Sequence, residues 1–352
     1  MSHFSATCRR ISRAPRTLVS RVLSRHRSIA TKRDQWFVDY HSDHARQVVG
    51  LRDKTDARLK LFRADDIAGK RVLDAGCNMG AIVNHCMNLG ARQVTGLDFD
   101  SAAVQRARGL YGDSTATFRC DDLDNPLAAL QPHDTVMFLS VYGTKELEDR
   151  NSILSRLAGL SQVMYFEGHH GDNPRDYAWV LLKYGGFQTI EFLGYTNDEL
   201  REDSIGRPFF RCDRTARDVD FLPAFLADQA SQDAPQDATL KVAVVGRSGA
   251  GKSHLARQLA DDPRCQGVTI LDDVNDPNRI HAARRLVLFD YRAGTYIDQI
   301  DALFFLDVDE NVRVKRFADD PVRQDDYNAL LRTPPVRSNF LSFFRIEAQQ
   351  DG

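Results

Sequence analysis

The sequence predicts an α/β protein built as two successive units, each a mainly parallel sheet covered by helices. Three observations predict it. Short apolar runs alternate with helical stretches from Lys70 onward, and the pattern restarts at Lys241. Each series opens with an apolar strand that runs into a glycine-rich turn, at Gly76–Gly80 and again at Gly246–Gly251. Between the two, residues 226–239 are rich in Asp, Gln, Ala and Ser, polar and aperiodic, which is linker composition.

The totals agree with this reading. A chain of 352 residues has room for two domains that each bury a core. No apolar run nears the roughly 20 residues of a membrane-spanning helix, so no crossing of a bilayer is expected. The cysteines (Cys8, Cys77, Cys86, Cys120, Cys212, Cys265) contain no C-x-x-C pair and read as reduced thiols of a cytosolic-type compartment.

Charge is unevenly spread. Nine of the 47 Lys/Arg lie before Asp34, whereas all 49 Asp/Glu follow, so the remainder carries −11. An acidic body argues against a general nucleic-acid surface, which needs clustered cations. Residues 1–33 themselves have three readings. They resemble an organellar transit peptide, being Arg- and Ser-rich without acids. They would also serve as a basic arm on anionic lipid, at the periphery of a membrane, or on nucleic acid. The third reading is a solvated, disordered tail.

Along the chain, Gln35 to Phe62 reads as helical. Arg71 to Asp74 is then a buried strand, Ala81 to Leu89 a helix, Gln93 to Leu97 a strand and Ser101 to Leu110 a helix. Ala116 to Arg119, Thr135 to Leu139 and Val163 to Glu167 follow as strands, the last closing the first series. The first unit therefore takes residues 34–225 and the second 240–352.

In the first unit, Asp74-Ala-Gly76-Cys77-Asn-Met-Gly80 puts glycines where a strand turns into a helix, so backbone amides can approach a ligand closely. The next strand ends in Asp98, placed to accept hydrogen bonds from a ribose diol, and the third ends in Asp121 and Asp122. This Asp-x-Gly-x-x-x-Gly turn resembles that of the class I S-adenosylmethionine (SAM)-dependent methyltransferases, over about Lys70 to Asn125. The resemblance implies a Rossmann-like fold in which Asp74, Gly76, Cys77 and Gly80 line the methionine and ribose side. It further implies that Asp98 and Phe99 hold the ribose end, and Asp121 or Asp122 the adenine. The family's N/D-P-P-Y/F motif for amide and adenine acceptors is absent after the fourth strand, which tilts the acceptor toward oxygen. Glu167 and His169 end the fifth strand and are the candidate bases, His169 because its ordinary pKa is near neutral. His169 and His170 are read equally well as plain loop residues. The stretch Gly206 to Arg211 offers cations for an anionic substrate or, equally, a closing hairpin.

In the second unit, Gly246-Arg-Ser248-Gly249-Ala250-Gly251-Lys252-Ser253 is a complete G-x-x-x-x-G-K-S between a strand and a helix. Such a loop wraps phosphates in backbone amides, with Lys252 on the β- and γ-phosphates and Ser253 on Mg²⁺. Asp272, Asp273 and Asp290 end the next two strands. Asp290 is the candidate for the magnesium shell, and Asp273 or Asp290 for activating an acceptor hydroxyl. The unit resembles the small P-loop kinases, and that resemblance makes Arg313, Arg316 and Arg323 lid candidates. An exposed helix with ordinary charge spacing is the alternative for these three.

The reading that follows is a bifunctional enzyme using SAM, ATP and Mg²⁺ on a small-molecule or glycan acceptor. By function, not by fold, it is similar to enzymes that cap bacterial polysaccharides by phosphorylation and methylation. A methyltransferase regulated by a nucleotide-sensing second unit, and an RNA-modifying enzyme, are the alternatives.

Overall fold

A computed structural model describes residues 58–113, 115–124, 130–145, 147–196, 206–231, 239–246, 249–272, 277–290, 293–308 and 339–347. The basic tail, Ser248, Asp273, Arg313, Arg316 and Arg323 lie outside the described residues.

Among the described residues, twelve strands form one sheet. They are β1 (Arg71–Ala75), β2 (Gln93–Asp98), β3 (Ala116–Cys120), β4 (His133–Leu139), β5 (Ser161–Glu167), β6 (Thr189–Thr196), β7 (Arg207–Asp213), β8 (Leu240–Gly246), β9 (Thr269–Leu271), β10 (Arg285–Phe289), β11 (Ile300–Asp307) and β12 (Phe340–Glu347). Their order is β3-β2-β1-β4-β5-β7-β6-β12-β11-β8-β10-β9. β1 to β5 are mutually parallel, as are β8 to β12. Three antiparallel pairings join the blocks: β5 with β7, β7 with β6, and β6 with β12. The two blocks consequently run in opposite directions along the sheet.

The helices are set by local signals. α1 is Ala81–Asn88, and α2 is Ser101–Tyr111, where Asp100 caps the first turn by accepting from the amides of Ala102 (2.8 Å) and Ala103 (3.3 Å). α3 (Arg150–Gly159) is capped by Asp149, and α4 (Pro174–Val180) by Asn173 with proline at the first helical position. α5 (Phe221–Ser231), α6 (Lys252–Asp261), α7 (Pro277–Ala282) and α8 (Ala293–Tyr296) complete the set.

One apolar core runs beneath both blocks. Phe166, Tyr177, Ile190 and Phe210 of the first unit belong to the same buried cluster as Ala243, Val245, Leu303 and Phe343 of the second. The two units are therefore fused through sheet and core. The linker itself is shorter than the composition implied. Residues 226–231 belong to α5, whose Leu222 and Leu226 are buried with Val242, Val287 and Phe304 of the second unit. The first series also continues past Glu167, since β6 and β7 follow. The stretch Gly206 to Arg211 is the hairpin partner, not a source of substrate cations at Arg211. That guanidinium is buried and binds both oxygens of Asp66, at 2.7 and 2.8 Å.

Candidate functional site

The turn after β1 is wound left-handed, with Gly76 at φ +90°, Asn78 at +47° and Gly80 at +84°. A side chain on Gly76 would come within 2.4 Å of Val141, and one on Gly80 within 2.7 Å of Phe118, so glycine is required twice over. The amides of Gly76 and Cys77 donate to the carbonyl of Leu97 (2.8 and 2.9 Å), which lashes the turn to β2.

Asp98, at the end of β2, is pinned by the turn. Its two oxygens accept from the amides of Asn78 (2.8 Å) and Asp100 (3.0 Å), leaving each oxygen a second lone pair. Burial raises its pKa and the Asp100 carboxylate adds to the rise, while the amides of Asp100, Asn78 and Phe99 oppose it. Phe99 beside it is 63% exposed, an unusual position for so large an apolar ring. The amide of Asp121 donates to the carbonyl of Asp98 (2.9 Å), so β3 ends at the same place. The Asp121 carboxylate pairs with Arg119 at 2.8 Å, while Asp122 is exposed and accepts from the amide of Asp124 (2.9 Å).

Asp74 lies directly beneath this turn and is 2% exposed. Burial pushes its carboxyl up to about 7, with Asp98 adding to the rise and Arg58 opposing it. Its Oδ2 has no hydrogen-bond partner among the described residues. Such an orphaned, buried acidic oxygen fits a ligand that brings positive charge, as SAM does with its ammonium and sulfonium groups. Cys77 is buried and its thiol is pushed far up, so it lines the site as an apolar group.

The ends of β4 and β5 hold the candidate bases. Glu167 is fully buried and accepts from the hydroxyls of Ser140 and Thr196, the latter at 2.5 Å, and pairs with Arg58 at 3.1 Å. A carboxylate engaged by so many donors holds strand ends together. Ser140 is itself at φ +60°, a strained conformation for a non-glycine residue. His169 is half-buried, and its Nε2 is sequestered without a partner among the described residues. Burial lowers its pKa, as do Arg207 and Arg150, against Asp172 and Glu167. The imidazole is therefore held neutral, the form a general base needs. Gly143 makes room for the ring: a Cβ there would sit 2.2 Å from His169 Cδ2. The loops after β4 and β5 thus meet, as their placement at strand ends predicts. His170 is half-buried on the same loop.

In the second unit, β8 runs into Gly246, whose absent side chain lets it abut the carbonyl of Leu306 on β11 (a Cβ would lie 2.5 Å away). Gly249 (φ +77°) and Gly251 (φ +94°) wind the loop left-handed around the buried Ala250, and Gly251 leads into α6. The ammonium of Lys252 donates to the carbonyl of Gly246 (2.9 Å). Burial lowers its pKa, with Asp272 and Asp290 opposing. Asp290, 5% exposed, follows β10, the parallel neighbour of β8, so it stands beside the loop. Ser253 is exposed in the first turn of α6.

Sequence reasoning missed Arg58, which precedes the first strand in a stretch with no motif, yet faces both Asp74 and Glu167. A lone arginine in that stretch carries no signal that its partners lie on two later strands.

Residues 72–161 match the family model described as a methyltransferase domain. A ubiquinone biosynthesis O-methyltransferase of Neisseria meningitidis serogroup C (strain 053442) is 25% identical over 155 residues. That alignment takes in 42% of this chain and 63% of the relative, so the chain spans less than two thirds of its length. The solved bifunctional kinase-methyltransferase WbdD is 20% identical, with a TM-score of 0.41 over 55% of this chain and 46% of that one. The magnesium protoporphyrin IX methyltransferase of Synechocystis PCC 6803 with bound SAM gives 21% and 0.36, over 46% of this chain and 78% of that one. With the family match and the glycine turn on β1, residues 72–161 carry a methyltransferase domain of the class I SAM-dependent, Rossmann-like type.

Proposed function

We propose that the chain transfers a methyl group from SAM to an oxygen acceptor, and that its second unit binds ATP with Mg²⁺ and transfers a phosphoryl group. The observation that carries the methyl half is the pair Asp98 and Asp74. One is a carboxylate pinned at the end of β2, which would accept from a diol, and the other an orphaned acidic oxygen for a cation. SAM supplies an electrophilic methyl carbon on a sulfonium. An acceptor oxygen would bond to that carbon and displace the thioether sulfur, which would leave with the electron pair of the carbon–sulfur bond. Orientation does most of the work in such a displacement, and neutral His169 takes the acceptor's proton. Glu167 is assigned to holding the strand ends.

For the phosphoryl half, support comes from the wound glycine loop, Lys252 at the head of α6 and Asp290 beside it. The amides of the loop would hold phosphate oxygens, Ser253 and Asp290 the metal's shell, and Lys252 the terminal phosphate. β1 and β8 are seven positions apart in the sheet, which at about 4.8 Å per step is roughly 34 Å. Because the two blocks run in opposite directions, the finishing ends of β1 and β8 also lie on opposite edges of the sheet, so an acceptor meets the two donors in separate binding events.

The shared sheet and core favour a second reading, in which nucleotide binding regulates methyl transfer. Purified protein is incubated with metabolite and glycan extracts, labelled SAM and γ-labelled ATP, and products are identified by mass. Label from both donors supports the bifunctional reading. Methyl label alone, falling in Lys252→Ala, supports regulation. No methyl label in any fraction, with no binding of S-adenosylhomocysteine, sinks both.

A further inference from the structure

α4 is gripped from two sides. On one, the Tyr177 hydroxyl accepts from the amide of His169 (3.1 Å) and donates to Asp172 (2.5 Å), so it holds both limbs of the loop that carries His169. On the other, the Arg175 side chain, 10% exposed, reaches into the second unit. Its guanidinium donates to the carbonyls of Asn339 (2.6 Å) and Ile300 and pairs with Asp301 at 3.5 Å. Asp301 in turn accepts from the amide of Lys241 (2.8 Å), at the start of the strand that feeds the glycine loop. Residues two apart on a helix point to different sides, which is why one short helix can serve both contacts.

The antiparallel β6–β12 pairing makes this possible. It sets the starting ends of β11 and β12 beside the finishing ends of β5 and β6, where the His169 loop lies. The interface is demanding chemically. Two carbonyls and a carboxylate are met by one planar fork of donors, a geometry that an ammonium on a flexible stem does not reproduce.

We propose that Arg175 is a positioning residue of the methyl-transfer site: it fixes α4 against the second unit, and α4 fixes the loop that carries His169. The second unit is then the abutment of the acceptor side, whatever its own activity. This rests on reading the ends of β4 and β5 as the acceptor side of the methyltransferase domain.

The test uses the full chain with Arg175→Lys, Asp301→Asn, the double variant and Tyr177→Phe. Three quantities are read: the NMR titration of the His169 ring, the affinity for S-adenosylhomocysteine, and the melting transition. The groups that face His169 are Arg207 at the start of β7, Arg150 at the start of α3, Glu167 at the end of β5 and Asp172 on its own loop. None of them is altered. Both single interface variants are expected to bind S-adenosylhomocysteine within about twofold of the parent, since the donor contacts lie on β1 and β2. The His169 midpoint should rise by about half a pH unit as the ring loses burial, and Tyr177→Phe should shift it likewise. The double variant should shift the midpoint by less than the two single shifts added together, because both substitutions act on the Arg175–Asp301 pair, while Arg175 alone also holds the carbonyls of Asn339 and Ile300. If Arg175→Lys and Asp301→Asn melt as folded proteins with the His169 ring at its parental shift and midpoint, the proposal is overturned. If the parent fails to bind S-adenosylhomocysteine, the methyl-transfer assignment falls with Arg175's part in it, while the His169 midpoint still reports whether the strut exists.

Discussion

Arg58 and Glu167 form a 3.1 Å ion pair in which the side chains are 6% and 0% exposed, joining the segment before β1 to the end of β5. The same guanidinium opposes the rise in pKa of Asp74. One arginine thus stabilises an acid beneath the glycine turn of β1 and another at the end of β5.

Replacing Arg58 by Met should therefore act on both. Removing one partner of a buried pair costs about 3–5 kcal/mol, tempered here by the Ser140 and Thr196 hydroxyls that remain on Glu167. Urea unfolding should show a loss at the lower end of that range. Affinity for S-adenosylhomocysteine should fall with it, because Asp74 becomes still harder to ionise. Unchanged affinity in a destabilised variant would separate Arg58 from the donor site.

Asp74 gives a pH dependence with a definite sign. Its carboxyl titrates at about 7 in the fold against 3.8 when unperturbed, so the folded state holds the extra proton between those values. The stability this contributes is fully present below pH 3.8 and is lost as pH rises through 7, on the order of 4 kcal/mol. A ligand carrying an ammonium favours the ionised form. Binding of S-adenosylhomocysteine should thus strengthen from pH 6 to pH 8 and release a proton, seen as a buffer-dependent heat in calorimetry. Asp74→Asn should flatten both effects.

Asp98→Ala should weaken S-adenosylhomocysteine binding by at least tenfold. The substitution removes the acceptor for two ligand hydroxyls and strands the amides of Asn78 and Asp100, each such loss being worth about 1–3 kcal/mol. Asp122→Ala, on an exposed side chain, should cost much less. Equal losses in the two would move the ribose contact away from β2.

The donor turn was legible because its constraints are local. Gly76, Gly80 and Asp98 sit where strand, turn and strand must put them, and Gly246, Gly249 and Gly251 are fixed in the same way. The misreadings share a different cause. Arg58, Arg175 and Arg211 act through partners far along the chain, Glu167, Asp301 and Asp66, and no spacing records such pairs. β6 and β12 escaped notice for a related reason. Each is interrupted by polar residues: Glu191 and Thr196 in one bind Arg63 and Glu167 of the first unit, while in the other Ser342 meets the amide of Phe192 across the junction and Arg345 pairs with Asp307. α5 was read as linker from its polar end, although Phe221, Leu222 and Phe225 at its start pack on Phe304 and Phe344.

That junction predicts how the chain melts. β6 pairs with β12, the Ser342 hydroxyl accepts from the amide of Phe192 (3.1 Å), and the amide of Arg345 donates to the carbonyl of Gln188 (2.8 Å). The apolar core beneath is continuous from Phe166 to Leu303. Two units that share ladder and core lose both at once, so calorimetry on the full chain should give one cooperative transition. Cutting the chain after Asp213 would leave the β6 edge unpaired and the apolar faces of Ile190 and Tyr177 open to water, and this fragment should aggregate. A saturating nucleotide ligand that raises the melting temperature should raise it for the whole transition, methyltransferase domain included. Two resolved transitions, with only the second moved by ATP, would show that the units unfold independently despite the shared sheet.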